Sequence, residues 1–211
     1  MKRTLKDYLL ITAKGMGMGA ADVVPGVSGG TIAFITGIYE ELINSLKSID
    51  PSTIKMLFSE GIPKTWQKVN GNFLVALFIG IGISVVSLSK VIKYLLAEHP
   101  IMVWSFFFGL IIASAYVISK SITQWNLKSI GGIIIGSAIA YYITVATPAQ
   151  TPTDLWFIFL CGMLAICAMI LPGISGAFIL LLLGKYAYIV GALSDLNISI
   201  IITFMVGCLL G

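Results

Sequence analysis

The residues best suited to chemistry in this chain form one short phrase that occurs twice. Pro25-Gly26-Val27-Ser28-Gly29 returns 147 residues later as Pro172-Gly173-Ile174-Ser175-Gly176. Proline stops an incoming helix, and glycine permits a sharp turn and close approach by a ligand. Ser28 and Ser175 then stand where an N-cap belongs, ahead of helices expected to begin near Thr31 and Ala177. The first N–H groups of such helices lack intrahelical acceptors and carry the positive end of the helix dipole. With Gly29, Gly30, Thr31 and Gly176, the two serines make a candidate cradle for phosphate or carboxylate oxygens. One Pro-Gly in a membrane helix is usually a structural kink; the duplication favours a binding site.

Other polar residues surround this pair. Asp22, three residues before Pro25, is the only acid deep in an apolar segment, and Met169 replaces it in the second copy. A carboxylate is expensive there. It could couple H+ or Na+ to transport, cap free N–H groups near the break, or pair with a lysine. Lys14 and Lys185 lie 10–11 residues from their breaks, or about 15 Å along a helix. They could guide an anionic headgroup at the interfaces or simply snorkel. Glu40 and Glu41 read as solvated. Cys161, Cys167 and Cys208 lack CxxC spacing and read as buried, unreactive thiols. His99 is a lone histidine before Pro100, so no metal site, catalytic pair or cofactor is expected. Gly-x-Ser-Gly also suggests an intramembrane serine protease, but no base lies within reach of either serine. The chain does not read as an enzyme.

The elements that position these residues are membrane helices. The chain is 58% hydrophobic and only 10% charged, with a mean hydropathy of +1.01; a soluble domain carries about a quarter charged residues. Its net charge of +4 is spread through loops and suits a membrane surface better than nucleic acid. Ordinary spans are expected at about Phe73–Leu96, Ile101–Ile118 and Ile130–Thr147. The breaks divide longer apolar regions, 5–49 and 155–193, into two helix–break–helix hairpins, re-entrant or fully spanning. A further apolar stretch, 198–211, stops as if inside a membrane segment. Residues 1–211 read as a single membrane domain.

A hairpin returns the chain to the side it entered. With three spans between them, the hairpins must open to opposite sides, giving an all-α protein with two inverted-topology repeats. Lys2, Arg3, Lys6, Lys47, Lys55, Lys64, Lys68, Lys120 and Lys128 fall in the N-terminus and loops on one side, which reads as cytoplasmic. Lys90 and Lys93, near the outer end of the first span, are the exception and are assigned to snorkelling. Trp66, Trp104, Trp125 and Trp156 fit interfacial anchors.

Gly17-Met18-Gly19-Ala20-Ala21-Asp22-Val23-Val24-Pro25-Gly26-Val27-Ser28-Gly29-Gly30-Thr31, followed by Gly37-Ile38-Tyr39-Glu40, resembles the signature of the bacterial polyprenyl-phosphate transporter family. Leu171-Pro172-Gly173-Ile174-Ser175-Gly176-Ala177-Phe178 resembles its second signature. The resemblance spans nearly the whole chain, and family members typically continue into further C-terminal helices. It implies a multi-pass protein of the bacterial cytoplasmic membrane that returns undecaprenyl phosphate to the inner leaflet for reuse in peptidoglycan and other envelope polymers. A small-anion channel or ion-coupled anion transporter is the competing reading of the same breaks.

Overall fold

The computed structural model describes residues 3–121, 126–146, 151–170 and 174–211. Among them every regular element is a helix. The first hairpin comprises α1 (Leu5–Val23), α2 (Gly29–Ile35) and α3 (Tyr39–Lys47), followed by α4 (Pro51–Ser59), α5 (Ile62–Lys68), α6 (Gly71–Glu98), α7 (Pro100–Ser121) and α8 (Leu127–Ala146). The second comprises α9 (Leu155–Ile170), α10 (Gly176–Leu182) and α11 (Tyr186–Ser194), with α12 (Ile198–Leu210) after it.

The 147-residue offset governs the backbone as well as the letters. The end of α1 and both limits of α2 and α3 recur at that offset in α9, α10 and α11. Gly37 and Gly184 follow the two short helices with φ of +72° and +66°. Glycine enters this left-handed region at little cost, so it can end a helix and turn the chain. The halves differ where α4 and α5 fill a stretch read from sequence only as a loop. There Asp50 accepts from the Thr53 N–H (2.8 Å) and caps α4, with Pro51 in the first turn.

Glycines bring the helix pairs together. An ideal Cβ at Gly80 on α6 would lie 2.9 Å from the Met16 nitrogen, and one at Gly15 on α1 would lie 3.1 Å from the Leu77 carbonyl carbon. Backbone therefore packs on backbone, as small residues allow in membranes. Gly162 and Gly207 join α9 to α12 in the same manner. Thr12 Oγ1 adds a hydrogen bond to the Ala76 carbonyl at 3.0 Å. The contacts pair Tyr8 with Asn72, Thr12 with Ala76 and Gly19 with Ile81, so α1 and α6 run parallel. Gly19, in the last turns of α1 before the first break, packs on Ile81 in the central part of the 28-residue α6.

The core around the breaks contains Val23, Phe107, Ile158, Ala165, Ala177 and Tyr186. Helix α6 is long and apolar enough to cross a membrane. Helices α7 and α8 expose Ile101, Phe106, Phe108, Ile134, Ile135 and Tyr141, a distribution suited to lipid. The three expected spans fall on α6, α7 and α8, apart from Thr147, which lies outside the described residues. This is a helical protein of membrane type.

Charged contacts mark the two ends of α6. At its Gly71 end, Arg3 pairs with Glu41 at 2.6 Å, and Asn70 donates to Glu41 at 2.6 Å. Near its Glu98 end, Lys93 pairs with Asp195 at 2.5 Å. Three expectations are corrected here. Glu41 is tied to α1 and α6 rather than simply solvated, because its carboxylate is the acceptor between Arg3 and Asn70. Lys93 has a carboxylate partner rather than snorkelling alone. Cys161 is buried, but Cys167 is exposed because it lies off the α9 face that buries Cys161, Ala165 and Ala168.

Candidate functional site

The first break is built by Asp22, Ser28 and the glycines between and after them. Helix α1 ends at Val23, and α2 begins at Gly29 with Ser28 as its N-cap residue. The Ser28 side chain makes no cap bond. Instead the Gly29 N–H donates to Asp22 Oδ1 at 2.7 Å, seven residues back along the chain. A Cβ at Gly29 would lie 2.7 Å from Asp22 Cγ, so the absence of a side chain permits this contact. Of the roles expected for Asp22, capping is the one seen. With the carboxylate there, Ser28 Oγ is left buried and without a partner among the described residues; Ser28 is 3% exposed. Such an atom is expensive to bury unpaired.

The second break solves the same problem differently. Met169 occupies the place corresponding to Asp22, with its sulfur 2.9 Å from where a Gly176 Cβ would be. A thioether cannot cap a helix strongly, and here Ser175 Oγ accepts from the Phe178 N–H at 3.3 Å. Pro172 and Gly173 lie outside the described residues.

The fold brings these breaks against each other. The position of a Cβ on Gly30 would be 2.9 Å from the Met169 carbonyl oxygen, 3.4 Å from Ser28 Oγ and 3.7 Å from the Ile170 carbonyl oxygen. Two tyrosines cross between the halves. Tyr39 Oη donates to the Ile170 carbonyl at 3.1 Å, and Tyr186 Oη donates to the Val23 carbonyl at 2.9 Å. From outside both hairpins, Ser114 on α7 donates to the Gly26 carbonyl at 2.6 Å. Sequence reasoning placed Tyr39 within the first signature, gave Tyr186 no role and passed over Ser114. The tyrosines' shared offset was the available signal; Ser114 had none.

Thr31 sits in the first turn of α2, and Gly176 opens α10. The lysines are farther from Ser28 and Ser175. Lys14 donates to the Thr36 carbonyl at the end of α2 at 2.7 Å, a favourable place for a cation. Lys185 is buried, donates to the Thr151 carbonyl at 2.7 Å, and lies 5.2 Å from the Tyr188 ring centroid and 5.8 Å from that of Phe157. The rings favour a cation there. Among the described residues, no group of three or more His, Cys, Asp or Glu could hold a metal ion.

Residues 18–211 match the family model described as undecaprenyl phosphate translocase-like. The chain belongs to that family. It is 48% identical over 205 residues to the polyprenyl-phosphate transporter of Vibrio cholerae serotype O1, covering 97% of this chain and 67% of that protein. It is 36% identical over 194 residues to the polyprenyl-phosphate transporter of Staphylococcus aureus, covering 86% of this chain and 64% of that protein. The chain thus spans about two thirds of the length of these curated relatives. No solved structure matches it. The family match includes both breaks and all three cross-half contacts described above.

Proposed function

We propose that this chain carries the phosphate headgroup of a polyprenyl phosphate, specifically undecaprenyl phosphate, across the bacterial cytoplasmic membrane. The carrier returns to the inner leaflet for reuse in envelope synthesis. The observation that carries this reading is the buried Ser28 hydroxyl, unpartnered among the described residues, where the first break meets the end of α9, in a member of this family. A hydroxyl without a protein partner can donate to a phosphate oxygen without first breaking another bond. Ser175 and the backbone at Gly29, Gly30, Thr31 and Gly176 complete the proposed cradle. Pro25 and Gly26 shape the turn at the first break, and Pro172 and Gly173 are the matching motif residues in the sequence of the second.

The chemistry around Ser28 suits a phosphomonoester. Such a group carries about −1.5 to −2 charge near neutral pH and is protonated part of the time. Its unprotonated oxygens can accept from Ser28, while a P–O–H can donate toward the nearby Met169 or Ile170 carbonyl. Only this headgroup needs the polar path; the lipid tail can remain in hydrocarbon. Asp22 accepts from the Gly29 N–H and is the position at which a coupling H+ or Na+ would act. Lys14 and Lys185, one at the far end of each short helix, are proposed headgroup guides on the two sides.

In this reading the hairpins are re-entrant and inverted, and local rearrangement exposes the cradle to each side in turn. Three observations support it: the end of α1 packed on the central part of α6, the hairpin contacts at opposite ends of α6, and the span count. The lysine distribution supports a cytoplasmic N-terminus in this reading. The test is leaflet-resolved flipping of undecaprenyl phosphate in liposomes containing wild-type protein or Ser28→Ala. Flipping that slows with Ser28→Ala supports the assignment. Movement of chloride or inorganic phosphate with no lipid movement would replace it with the small-anion reading.

A further inference from the structure

The cross-half hydrogen bonds of Tyr39 and Tyr186 are reciprocal. Tyr39 and Tyr186 are the first residues of α3 and α11, while Val23 and Ile170 are the last of α1 and α9. Both pairs are separated by the same 147-residue offset. Tyr39 reaches Ile170, and Tyr186 reaches Val23. A contact repeated with its two sides exchanged is the mark of a two-fold relation between the halves. The acceptors also have a common chemical reason. The last carbonyls of a helix have no intrahelical donor, and at each break the opposite half supplies one.

We propose that Tyr39 and Tyr186 are reciprocal positioning residues that couple the two breaks, each hydroxyl holding the broken end of the opposite half. This inference rests on the transport reading above and adds how its two half-sites move together. A break held only within its own hairpin would shift alone and leave a headgroup between two unmatched cradles. With crossed latches, displacement of α3 pulls on the end of α9, and displacement of α11 pulls on the end of α1. The surroundings are unequal: Tyr186 is buried against Phe107 with ring centroids 5.7 Å apart, whereas Tyr39 is partly exposed beside Phe34. The Tyr39 latch is therefore the less tightly enclosed.

Hydrogen–deuterium exchange of the full chain in lipid nanodiscs tests the crossing directly, using Tyr39→Phe and Tyr186→Phe to remove only the hydroxyls. Tyr39→Phe is expected to speed amide exchange around the second break, peptides covering 165–180, by about fivefold, the effect of one ordinary hydrogen bond. The first break should remain at its wild-type rate. Tyr186→Phe should do the reverse, accelerating exchange over 18–33. Acceleration confined to the mutated half, equal acceleration at both breaks, or no change overturns the proposal. Should Tyr186→Phe fail to accumulate, the partly exposed Tyr39 arm decides the matter by the same outcomes. The readout involves no lipid movement. Crossed protection in a protein that flips no lipid overturns the transport reading alone, whereas intact flipping without crossed protection overturns the latch alone.

Discussion

Ser28→Ala and Ser175→Ala remove the same atom from matching positions, yet opposite effects on stability are expected. Ser28 Oγ is buried with no partner among the described residues, and an unpaired buried polar group costs about 1–3 kcal/mol. Replacing it with hydrogen should therefore stabilise the protein in the absence of added lipid phosphate by about 1 kcal/mol, after allowance for lost packing. Ser175 Oγ accepts from the Phe178 N–H, and losing an N-cap costs about 1 kcal/mol. The variants should then differ by about 2 kcal/mol, or about 4–8 °C in midpoint for a chain of this size. Thermal unfolding followed by far-ultraviolet circular dichroism, with all proteins in the same micelle, reads the difference. A Ser28→Ala variant that unfolds as early as Ser175→Ala would show that Ser28 has a structural partner, and the argument from its unused hydroxyl would fail.

Other substitutions separate neighbouring roles. Asp22→Asn retains an acceptor for the Gly29 N–H and should unfold near wild type, whereas Asp22→Ala should cost about 1–3 kcal/mol in a chemical-denaturation midpoint. If Asp22 also carries the coupling ion, Asp22→Asn should flip lipid without responding to an imposed pH or Na+ gradient; a full response would remove it from coupling. Gly80→Ala drives a Cβ into the α1 backbone at Thr12 and Met16 and should cost about 1–3 kcal/mol, while Gly82→Ala meets nothing within 4 Å and should be neutral or slightly stabilising. Equal effects of these two alanines on the unfolding midpoint would contradict the close α1–α6 packing. Hydrogen bonds from Ser52 and Thr53, with Lys68 nearby, hold the Asp50 carboxyl below its usual range. A depressed carboxyl favours the folded cap at neutral pH, and that contribution disappears as pH falls through the folded-state value. Amide exchange across α4 should accelerate under those acidic conditions in wild type, with the pH step abolished in Asp50→Asn.

Much of this arrangement was legible in sequence because it follows from local rules. Apolar runs of about 20 residues placed helices α6, α7 and α8, and Pro25-Gly26 marked the end of α1, whereas the starts of α2 and α10 were read late, near Thr31 and Ala177 rather than at Gly29 and Gly176. Helices α4 and α5 were missed because they are short, and their main local signals are Asp50-Pro51 and Gly61 followed by Ile62-Pro63. The site was legible as residue types but not as pairings. Asp22 caps Gly29 only because the chain folds back across the break, and its alternatives shared the same sequence evidence. Tyr39 and Ile170, 131 residues apart, meet through the packing of two hairpins. Local propensity contains no term for such a contact.

The central claim is that Ser28, where the two breaks meet, binds a lipid phosphate during its passage across the membrane. Its most direct test is the rate of undecaprenyl phosphate flipping between leaflets of proteoliposomes for wild type, Ser28→Ala and the Ser28→Ala/Ser175→Ala pair. Loss of one hydrogen bond to a charged phosphate should slow flipping about tenfold or more in Ser28→Ala despite its greater stability, with further slowing in the pair. Wild-type flipping by the double variant, at equal protein density, would contradict the account.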